Sequence, residues 1–446
     1  MKPETGTDTL INAITHRTAV IGVVGLGYVG LSNALVFAEA GFRVVGLDIE
    51  PDRVALINRG ESHLEHVSGA AVAEQVRAQR LTATTDFAAV SSLDCVLVCV
   101  PTPVRHGGAE PQPDLSHVRA AAEAIAPGLR PGCLVVLEST TYAGTTEDVL
   151  RPLLETGGLV AGRDFLLSYA PERIDPGNRQ FAVSAIPRVV SGSGPGCREA
   201  VHALYSQVFD SVRPVSSIRA AEVSKLFENT FRWVNIGLVN ELKTMCDRMG
   251  LDVWEILDAA GTKPFGFLPF SPGPGVGGHC IPVDPYYLAW NARQVGMEAR
   301  FVSLAGQVNS SMPGYVVQRT AEALRERDKE LTGARVLVAG VAYKRDVDDI
   351  RESPSLEIIR LLGRQGADVD YYDPHVPQLP ERAVGPDPVK SRTCYAGLAA
   401  EYDAVLILVD HSDIDWEQFM AGATLVVDTR NVIERLPQLG VPVVKG

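Results

Sequence analysis

A glycine turn between a strand and a helix, near the start of the chain, constrains the fold more than any other feature. An apolar run at residues 19–24 precedes the turn, and an amphipathic stretch follows it to about residue 40. A second apolar run, residues 44–47, ends at Asp48. This order of elements is a βαβ unit whose turn reads Gly-x-Gly-x-x-Gly. The segment therefore predicts a Rossmann-like, doubly wound sheet.

The same turn predicts a dinucleotide site, because each of its glycines has a geometric role. Gly25 permits the tight turn, Gly27 lets the backbone approach a pyrophosphate, and Gly30 lets the helix pack on the strand. The amides of Tyr28 and Val29 would then point at the phosphates from a helix N-terminus. We expect these five residues to contact the cofactor.

Asp48 indicates which dinucleotide is bound. A carboxylate at the end of the second strand accepts the ribose hydroxyls and repels a 2′-phosphate, so NAD is favoured over NADP. Arg53 weakens this inference, because a nearby arginine can serve a 2′-phosphate. Alternatively, Arg53 could stack on the adenine.

Polar clusters follow three further predicted strands, at the point where each strand ends. Ligands bind beyond the carboxyl ends of parallel strands, so we expect these clusters to converge on the cofactor side. Ordinary turn chemistry is the alternative for each of them. Thr102, Thr140 and Glu172 are the candidate site residues. The clusters are Pro101-Thr102-Pro103, Glu138-Ser139-Thr140 and Pro171-Glu172-Arg173, after strands predicted at residues 95–100, 134–137 and 165–169, and a further strand is predicted at 188–191.

The longest helical pattern of the chain runs over residues 219–249. A helix of about 30 residues spans about 45 Å, so it is expected to bridge domains or to build a dimer interface. Four polar residues form one stripe on this helix. A solvated face is the alternative, but the apolar neighbours favour a lysine and an asparagine that face a cleft. The stripe consists of Glu222, Lys225, Asn229 and Arg232.

A loop rich in glycine and proline, residues 272–285, holds Cys280 and Asp284 four positions apart. Glycines let a backbone come close to a ligand, and a lone thiol there offers a nucleophile. The loop therefore predicts an active-site segment whose glycines lie against the ligand. A structural turn with a buried cysteine is the alternative.

A second α/β pattern begins at residue 335, with strands predicted at 335–340, 368–372, 404–409 and 424–427. Its first turn, residues 340–344, lacks the three-glycine motif, so a second NAD site is not expected. Lys344, Arg345 and Arg351 suggest a different phosphate-bearing ligand, and a solvated charged loop is the alternative.

Composition limits the partners. The 446 residues carry a formal net charge of −13, which argues against a nucleic-acid or anionic-membrane surface. Seven cysteines without a CxxC pair, and no signal peptide before Thr18, fit a reducing cytoplasm. No apolar run reaches the ~18 residues of a membrane span. No cluster has metal-ligand spacing, so no metal is expected.

Together these patterns predict an α/β protein with two Rossmann-like doubly wound domains, joined by a long central helix and an all-α middle region. The expected order is a disordered lead-in at residues 1–18, an NAD-binding domain at 19–216, a central helical domain at 217–327 and a C-terminal nucleotide-binding domain at 328–446. The long apolar helix also suggests a homodimer or a higher homo-oligomer.

At this point the chain resembles the UDP-glucose/GDP-mannose dehydrogenase family over about residues 19–430. This resemblance implies that a nucleotide sugar is the substrate and that its 6-hydroxymethyl group is oxidised to a carboxylate with two NAD. It rests on the glycine turn from Gly25 to Gly30, Glu138-Ser139-Thr140, Pro171-Glu172, the helix with Glu222 and Asn229, Gly277-Gly278-His279-Cys280 with Asp284, and residues 340–351.

The resemblance also implies roles for individual residues. The Cys280 thiolate would trap an aldehyde, Asp284 would help to activate water, and Lys225 with Asn229 would stabilise negative charge. Thr140 and Glu172 resemble the family's water and proton-transfer residues. The residues expected to contact the UDP-sugar are Glu172, Lys225, Asn229, Phe270, Gly277, Lys344 and Arg351.

Two departures from the family pattern bear on the substrate. Pro176 stands where many relatives carry a second carboxylate after Glu172, so that proton-transfer role is in doubt. Residues 262–267 lack the arginine of the enzymes that act on UDP-glucose or UDP-N-acetylmannosamine. Residues 229–232 and 263–267 look most like the enzymes that oxidise UDP-N-acetylglucosamine, which is the expected substrate. The other two UDP-sugars, a two-electron dehydrogenase and a catalytically inactive nucleotide-sugar-binding protein are the alternatives.

Overall fold

The computed structural model describes residues 6–64, 67–105, 111–173, 182–436 and 440–446. It divides into two compact units, Met1–Glu228 with Tyr286–Met297, and Asn229–Pro285 with Glu298–Gly446. Each unit contains one large sheet with helices around it. The α/β class and the two Rossmann-like sheets are therefore confirmed.

The first unit is built on an eight-stranded sheet. Its six inner strands are short, apolar and almost wholly buried, as expected for strands covered on both faces, while the two edge strands are partly exposed. In chain order the strands of this unit, including a small β5–β6 hairpin, are β1 Val20–Val24, β2 Arg43–Leu47, β3 Leu81–Thr84, β4 Cys95–Val98, β5 Val104–Arg105, β6 Gln112–Pro113, β7 Leu134–Leu137, β8 Leu166–Tyr169, β9 Arg188–Gly192 and β10 Val212–Pro214.

The strand order of this sheet is β10-β9-β8-β7-β4-β1-β2-β3. Neighbouring strands are parallel except for β8 and β9, which pair antiparallel. Strands β1, β4, β7 and β8 therefore all end at the same edge. This arrangement brings the predicted polar clusters to the edge where the glycine turn lies.

Eight helices start in the first unit. They are α1 Gly6–Thr15, α2 Tyr28–Glu39, α3 Pro51–Asn58, α4 Gly69–Arg77, α5 Ser116–Ile125, α6 Arg151–Glu155, α7 Pro195–Tyr205 and α8 Ile218–Met249, with shorter helical turns at Phe87–Ser92, Ala126–Gly128, Thr145–Leu150 and Val183–Ala185.

The expectation of a disordered lead-in is wrong for α1. Leu10 and Ile14 are spaced one helical turn apart and are buried in the core beside α7. A short amphipathic helix gains enough apolar contact from this packing to be ordered. Residues 1–5 lie outside the described part of the chain.

The predicted long helix is confirmed as α8, which has 32 residues. The boundary between the two units falls within it, between Glu228 and Asn229. Three further helices make up the middle region: α9 Val253–Gly261, α10 Asp284–Gln294 and α11 Arg300–Arg325. The sequence pattern predicts a helical stretch over residues 312–325. In the structure this helix, α11, begins earlier, at Arg300, and continues through Pro313.

The second unit contains a five-stranded parallel sheet, which confirms the second α/β pattern. Its order is β12-β11-β15-β16-β17, and β13 pairs with β14 in a separate hairpin. These elements are β11 Arg335–Ala339, α12 Pro354–Arg364, β12 Asp368–Tyr372, β13 Gln378–Leu379, β14 Val389–Lys390, β15 Ala404–Ile407, α13 Trp416–Phe419, β16 Val426–Asp428 and β17 Val443–Lys445, with short turns at Leu398–Glu401 and Ile433–Arg435.

In both sheets, a carboxylate accepts hydrogen bonds from the turn that follows the first strand. In the first unit the Asp48 carboxylate accepts a hydrogen bond from the Leu26 amide at 2.7 Å. In the second, the Asp373 carboxylate accepts from the amides of Val341 and Ala342 at 2.7 and 3.0 Å. An acidic residue at the end of the second strand thus fixes the turn after the first strand in both. In the described ranges, no helix has the length and hydropathy needed to cross a membrane.

Candidate active site

The glycine turn of the first unit has the geometry that a dinucleotide requires. Gly25 has φ +87°, and a Cβ atom on Gly30 would lie 1.8 Å from the Gly25 carbonyl oxygen. A Cβ on Gly27 would meet no atom within 4 Å, so space is open in front of this residue. Helix α2 begins just after Gly27 without a side-chain cap. A helix N-terminus next to open space fits a pyrophosphate.

Asp48 is buried at the end of β2 and holds the edge of this turn. Besides the Leu26 amide, its carboxylate accepts from the Glu50 amide at 3.0 Å and from Arg53 Nη1 at 2.8 Å. Because Arg53 is paired with Asp48, its guanidinium is already neutralised. This pairing argues against a role for Arg53 in binding a 2′-phosphate.

The loops that follow β4 and β7 are tied to each other and to α10. The Ser139 hydroxyl donates to the Val100 carbonyl at 2.7 Å. The Tyr287 hydroxyl donates to the carbonyls of Thr102 and Pro103, both at 2.9 Å. Thr140, which follows Ser139, is partly exposed at this edge. These bonds fit the expected convergence of the two loops, while the contact of Thr102 and Thr140 with ligands stays a prediction.

Glu138 points into the core rather than toward the cofactor edge. Its carboxylate accepts from Asn33 and Arg188, both at 2.5 Å, and from the Tyr205 hydroxyl. Arg188 is 1% exposed and also lies 3.8 Å from the carboxylate of Glu172. The buried Arg188 thus forms ion pairs with the acid of each cluster, Glu138 after β7 and Glu172 after β8. The signal for it in the sequence is a charged residue at the start of an apolar strand.

The loop that carries Glu172 is fixed by its neighbour Arg173. The guanidinium of Arg173 forms a fork with the Glu228 carboxylate, at 2.8 and 3.2 Å, and donates to the Pro187 carbonyl at 2.6 Å. Bidentate pairs of this kind restrict orientation strongly. Pro176, the departure from the family pattern, lies outside the described residues.

The polar stripe of α8 is buried, so a solvated face is wrong for three of its four members. Glu222 and Asn229 are 0% exposed and Lys225 is 6% exposed. Arg232 is partly exposed. Burial of Lys225 and Asn229 fits the interpretation that they face a cleft, which itself stays a prediction.

Asn229 is held at both ends of its side-chain amide. Its nitrogen donates to the carboxylate of Asp284, and its oxygen accepts from the guanidinium of Arg232. Arg232 was part of the predicted stripe but not of the predicted site. Its pairing with a candidate site residue could be anticipated from the i, i+3 spacing on a helix.

The loop before α10 presents Cys280 as a partly exposed thiol that forms no disulfide. The Cys280 carbonyl accepts from the amides of Val283 and Asp284 at 3.1 and 2.8 Å, which starts the helix. Asp284 is therefore the first residue of α10 and is 3% exposed. A thiol and a carboxylate are placed one helical turn apart by this local geometry.

Glycines of the Cys280 loop were expected to lie against the ligand, but in the structure they lie against other parts of the protein. A Cβ on Gly277 would lie 2.8 Å from both the Glu352 carbonyl oxygen and Tyr343, and a Cβ on Gly278 would lie 2.8 Å from the Tyr343 ring. Gly278 also has φ +88°. These glycines allow close packing against protein atoms of the same unit. A contact of Gly277 with substrate stays a prediction.

The other predicted substrate residues belong to the same unit. The Arg351 guanidinium pairs with Asp349 at 2.6 and 3.0 Å and lies 3.2 Å from His279 Nδ1. The ring of Phe270 packs against Phe231, with centroids 5.9 Å apart. Lys344 Nζ lies 5.9 Å from the centre of the Tyr343 ring.

Four residues near the end of the second sheet have metal-ligating atoms within 4.8 Å of one another: Asp346, His375, His411 and Asp413. The Asp346 amide donates to His411 Nδ1 at 3.0 Å, so the ring hydrogen is on Nε2, which donates to Asp373 at 3.1 Å. Both nitrogens of His411 are thus engaged, which favours a structural role. The residues come from three segments, so sequence spacing could not reveal the cluster.

Comparison with known families decides the interpretation of these features. Three family models of the UDP-glucose/GDP-mannose dehydrogenase family match in order: the NAD binding domain at residues 19–209, the central domain at 219–311 and the UDP binding domain at 337–435. The chain belongs to this family. Its members are NAD-dependent oxidoreductases of nucleotide sugars, so this dehydrogenase uses NAD, which fits the turn and Asp48 described above.

The relatives of this dehydrogenase differ in their sugar. It is similar to the UDP-N-acetyl-D-glucosamine 6-dehydrogenase of Pseudomonas aeruginosa, with 38% identity over 88% of this chain and 90% of the relative. It is also similar to the UDP-N-acetyl-D-mannosamine dehydrogenase of Salmonella typhi, with 37% identity over 92% and 98% of the two chains. Among solved structures, UDP-D-ManNAc dehydrogenase from Pyrococcus horikoshii is similar, with a TM-score of 0.84 and 31% identity over 95% and 98% of the chains.

Proposed function

We propose that this dehydrogenase oxidises C6 of UDP-N-acetylglucosamine from the alcohol to the carboxylate, through a thioester on Cys280. The observation that carries the proposal is a partly exposed cysteine, outside any disulfide, one helical turn before Asp284, whose carboxylate accepts a hydrogen bond from Asn229. A two-electron oxidation of an alcohol needs no such nucleophile. A catalytically inactive binding protein would have no use for it either.

The first half of the reaction converts the alcohol to a protein-bound intermediate. NAD, held by the turn from Gly25 to Gly30 and by Asp48, supplies the hydride acceptor for both oxidations. After the alcohol loses a hydride and a proton, the Cys280 thiolate adds to the aldehyde carbon and forms a thiohemiacetal. Loss of a second hydride and a proton from this species gives the thioester.

The second half releases the acid. Water adds to the thioester carbonyl, the carbon–sulfur bond breaks, and the thiolate is regenerated as protons leave. Asp284 would accept a proton from the water, and the amide of Asn229 with the ammonium of Lys225 would stabilise the oxyanion. Lys225 lies four residues before Asn229 on α8, so both are on one face of the same helix. Thr140 and Glu172 would orient water and transfer protons.

The UDP part of the substrate would be bound by the C-terminal domain. Lys344 and Arg351 offer cations to the diphosphate, and Phe270 and Gly277 would contact the sugar. Arg351 is paired with Asp349, so the diphosphate would have to compete with that carboxylate or add a third partner. Arg351→Met is therefore expected to raise KM for the UDP-sugar while kcat changes little.

The choice of sugar rests on residues 229–232 and 263–267 and on the relative from Pseudomonas aeruginosa. The alternatives are UDP-N-acetylmannosamine, which the relative from Salmonella typhi carries in its name, and UDP-glucose. Initial rates with these three UDP-sugars test the choice. We expect the highest kcat/KM with UDP-N-acetylglucosamine, and a clear preference for either of the others would contradict it.

A homodimer built on α8 is part of the same proposal. Six exposed apolar side chains lie on one face of this helix, within an arc of about 80°, and extend for about 39 Å along it. Phe227 is 61% exposed and Leu238 is 60% exposed, although a stripe of this length is normally covered. A second copy of the chain would cover it by pairing two equal helices. The six residues are Val223, Phe227, Phe231, Leu238, Met245 and Met249.

Sedimentation of the Leu238→Asp variant tests the dimer. Leu238 lies near the centre of the stripe, so a charge there should convert the dimer to a monomer. Asp at the exposed position Ser311, on α11, is the control and should leave the mass unchanged. A wild-type protein that sediments as a monomer would contradict the proposal.

The cytoplasm is the expected compartment. None of the seven cysteines forms a disulfide, including the exposed Cys394 and the partly exposed Cys280. Free thiols persist in a reducing compartment. The expected reaction also needs Cys280 as a thiolate rather than as a disulfide.

A further inference from the structure

Glu222 is a buried carboxylate for which the reaction described above has no use. It lies in the first turns of α8 and is 0% exposed. Three donors converge on it from residues after β7: the Gly144 amide at 2.6 Å, the Thr146 amide at 3.0 Å and the Thr146 hydroxyl at 2.7 Å. Fully buried acids are rare unless such partners compensate for the lost hydration.

The segment that Glu222 holds, residues 140–146, is here called the Thr140 loop. It begins at the candidate water-orienting residue and is fixed at a second point by Asn291 of α10. The Asn291 side chain accepts from the Ala143 amide at 2.7 Å and donates to the Ala143 carbonyl at 3.1 Å. Gly144 has φ +102°, a conformation that depends on such restraints. The loop is therefore held from two helices by side chains.

We propose that Glu222 is a positioning residue whose ionised carboxylate holds the Thr140 loop in register with α8, so that protonation of Glu222 slows the reaction. This inference rests on the proposed function, because it assigns the effect to Thr140 and to Lys225. Lys225 follows Glu222 by three residues on α8 and so lies on the same face of the helix. Movement of the loop against the helix would displace Thr140 relative to Lys225.

The number of donors explains why an ionised acid is required. One oxygen of Glu222 accepts from Gly144, and the other accepts both the amide and the hydroxyl of Thr146. A proton on the oxygen that faces Gly144 puts a donor opposite the Gly144 N–H. A proton on the other oxygen can be accepted by the Thr146 hydroxyl, but the neutral acid then accepts the Thr146 N–H more weakly than the carboxylate does. In both cases a buried backbone N–H has a weaker acceptor or none.

The charges around Glu222 place its ionisation in the working range of pH. Burial, helped by the nearby Glu147, raises the pKa of Glu222 from 4.5 to about 7, against the hydrogen bonds from Gly144 and Thr146, which lower it. Arg219 of α8 faces the same region, where it pairs with Glu147 and Asp148. Tyr142, from the Thr140 loop itself, also interacts with the Glu222 charge.

Ionisation of Glu222 should change the stability of the fold and the activity in opposite directions, which makes the inference specific. A carboxyl whose pKa is higher in the folded protein binds more protons there than in the unfolded chain, so its contribution to stability falls as pH rises from about 4.5 to about 7. Activity should rise over the upper part of this window as the carboxylate forms. Below pH 7 the protein should therefore be more stable and less active through this one group.

The kcat–pH profiles of the wild type, Glu222→Gln and Thr146→Val test the inference. The wild type should show an acid limb near pH 7, and Glu222→Gln should lose this limb and have a kcat lower by about 10- to 100-fold at pH 8. Thr146→Val removes one hydrogen bond that lowers the pKa of Glu222, so its limb should move to higher pH. Asp148→Asn, at an exposed carboxylate of the same turn, is the control and should keep the wild-type limb.

An unchanged limb in both Glu222→Gln and Thr146→Val would overturn the inference. If Glu222→Gln does not fold, Thr146→Val decides alone. Amide hydrogen exchange separates this inference from the proposed function, because it needs no substrate. Protection of residues 143–147 should fall in both variants at pH 8, and equal protection would overturn the inference. A wild type that oxidises no UDP-sugar would instead contradict the proposed function.

Discussion

The side-chain amide of Asn229 donates a hydrogen bond to the carboxylate of Asp284. On its other side, the amide oxygen accepts from the guanidinium of Arg232. A cation at the oxygen and an anion at the nitrogen leave the amide only one favourable orientation. They also align its dipole, which makes the N–H group a stronger donor.

Loss of this amide should slow the reaction while the fold is kept. In Asn229→Ala we expect kcat to fall about 10²- to 10³-fold, the usual effect of removing one oxyanion donor. Steady-state NADH formation measures it. Asn235→Ala is the matched control on the same helix, because that amide donates only to the Phe231 carbonyl, and wild-type kcat in Asn229→Ala would contradict the assigned role.

The choice of cofactor should depend on Asp48. In Asp48→Ala, NAD loses its ribose acceptor and Arg53 loses its partner, so we expect KM for NAD to rise about 10- to 100-fold and NADP to become usable. Initial rates with the two cofactors measure the change. Asp52→Ala, at an exposed position on α3, should change neither value. If NAD kinetics are unaffected in Asp48→Ala, Asp48 only closes the turn.

An alanine substitution at Gly278 should destabilise the fold more than its positive φ alone explains, because the residue is also packed against Tyr343. Gly278→Ala introduces both a positive-φ penalty, about 1–2 kcal/mol, and a clash with the Tyr343 ring. Gly333→Ala is the control, since Gly333 has φ +79° but open space around it. Urea unfolding should show the larger loss for Gly278→Ala, and equal losses would contradict the packing role.

The buried pair of Arg188 and Glu138 should be needed for folding. Arg188→Met leaves a carboxylate uncompensated in the core, which we expect to cost about 3–5 kcal/mol of unfolding free energy. Adding Glu138→Gln to this variant should recover part of the loss. Thermal and urea unfolding of the single and double variants would show it. A stable single variant would mean that Glu138 is neutral in the folded protein.

Much of the fold could be predicted from local patterns. The βαβ unit around Gly25–Gly30 and helix α8 follow from apolar periodicity and turn residues, which act over short stretches of chain. The helix α1 was not predictable in this way, because Leu10 and Ile14 are ordered only by packing on α7, nearly 200 residues away.

In the candidate site, too, some residues could be predicted from local sequence patterns and others could not. Cys280, Asn229 and Asp284 stand out because their residue types are unusual in their local settings. Other parts of the site are held by partners from distant segments that carry no local signal: Arg188 pairs with Glu138, and Asn291 and Glu222 hold the Thr140 loop. The glycines of the Cys280 loop show the converse case: their presence was clear, but the contact that requires them, Tyr343, lies about 65 residues along the chain.

The covalent route through Cys280 is tested most directly by counting NADH formed per UDP-N-acetylglucosamine consumed, with mass spectrometry of the acid, in the wild type, Cys280→Ser and Cys394→Ser. We expect two NADH and the uronic acid from the wild type and from Cys394→Ser, whose exposed thiol has no proposed role. Cys280→Ser should form acid at least about 1,000-fold more slowly. One NADH per sugar in the wild type, or full acid production by Cys280→Ser, would contradict the account.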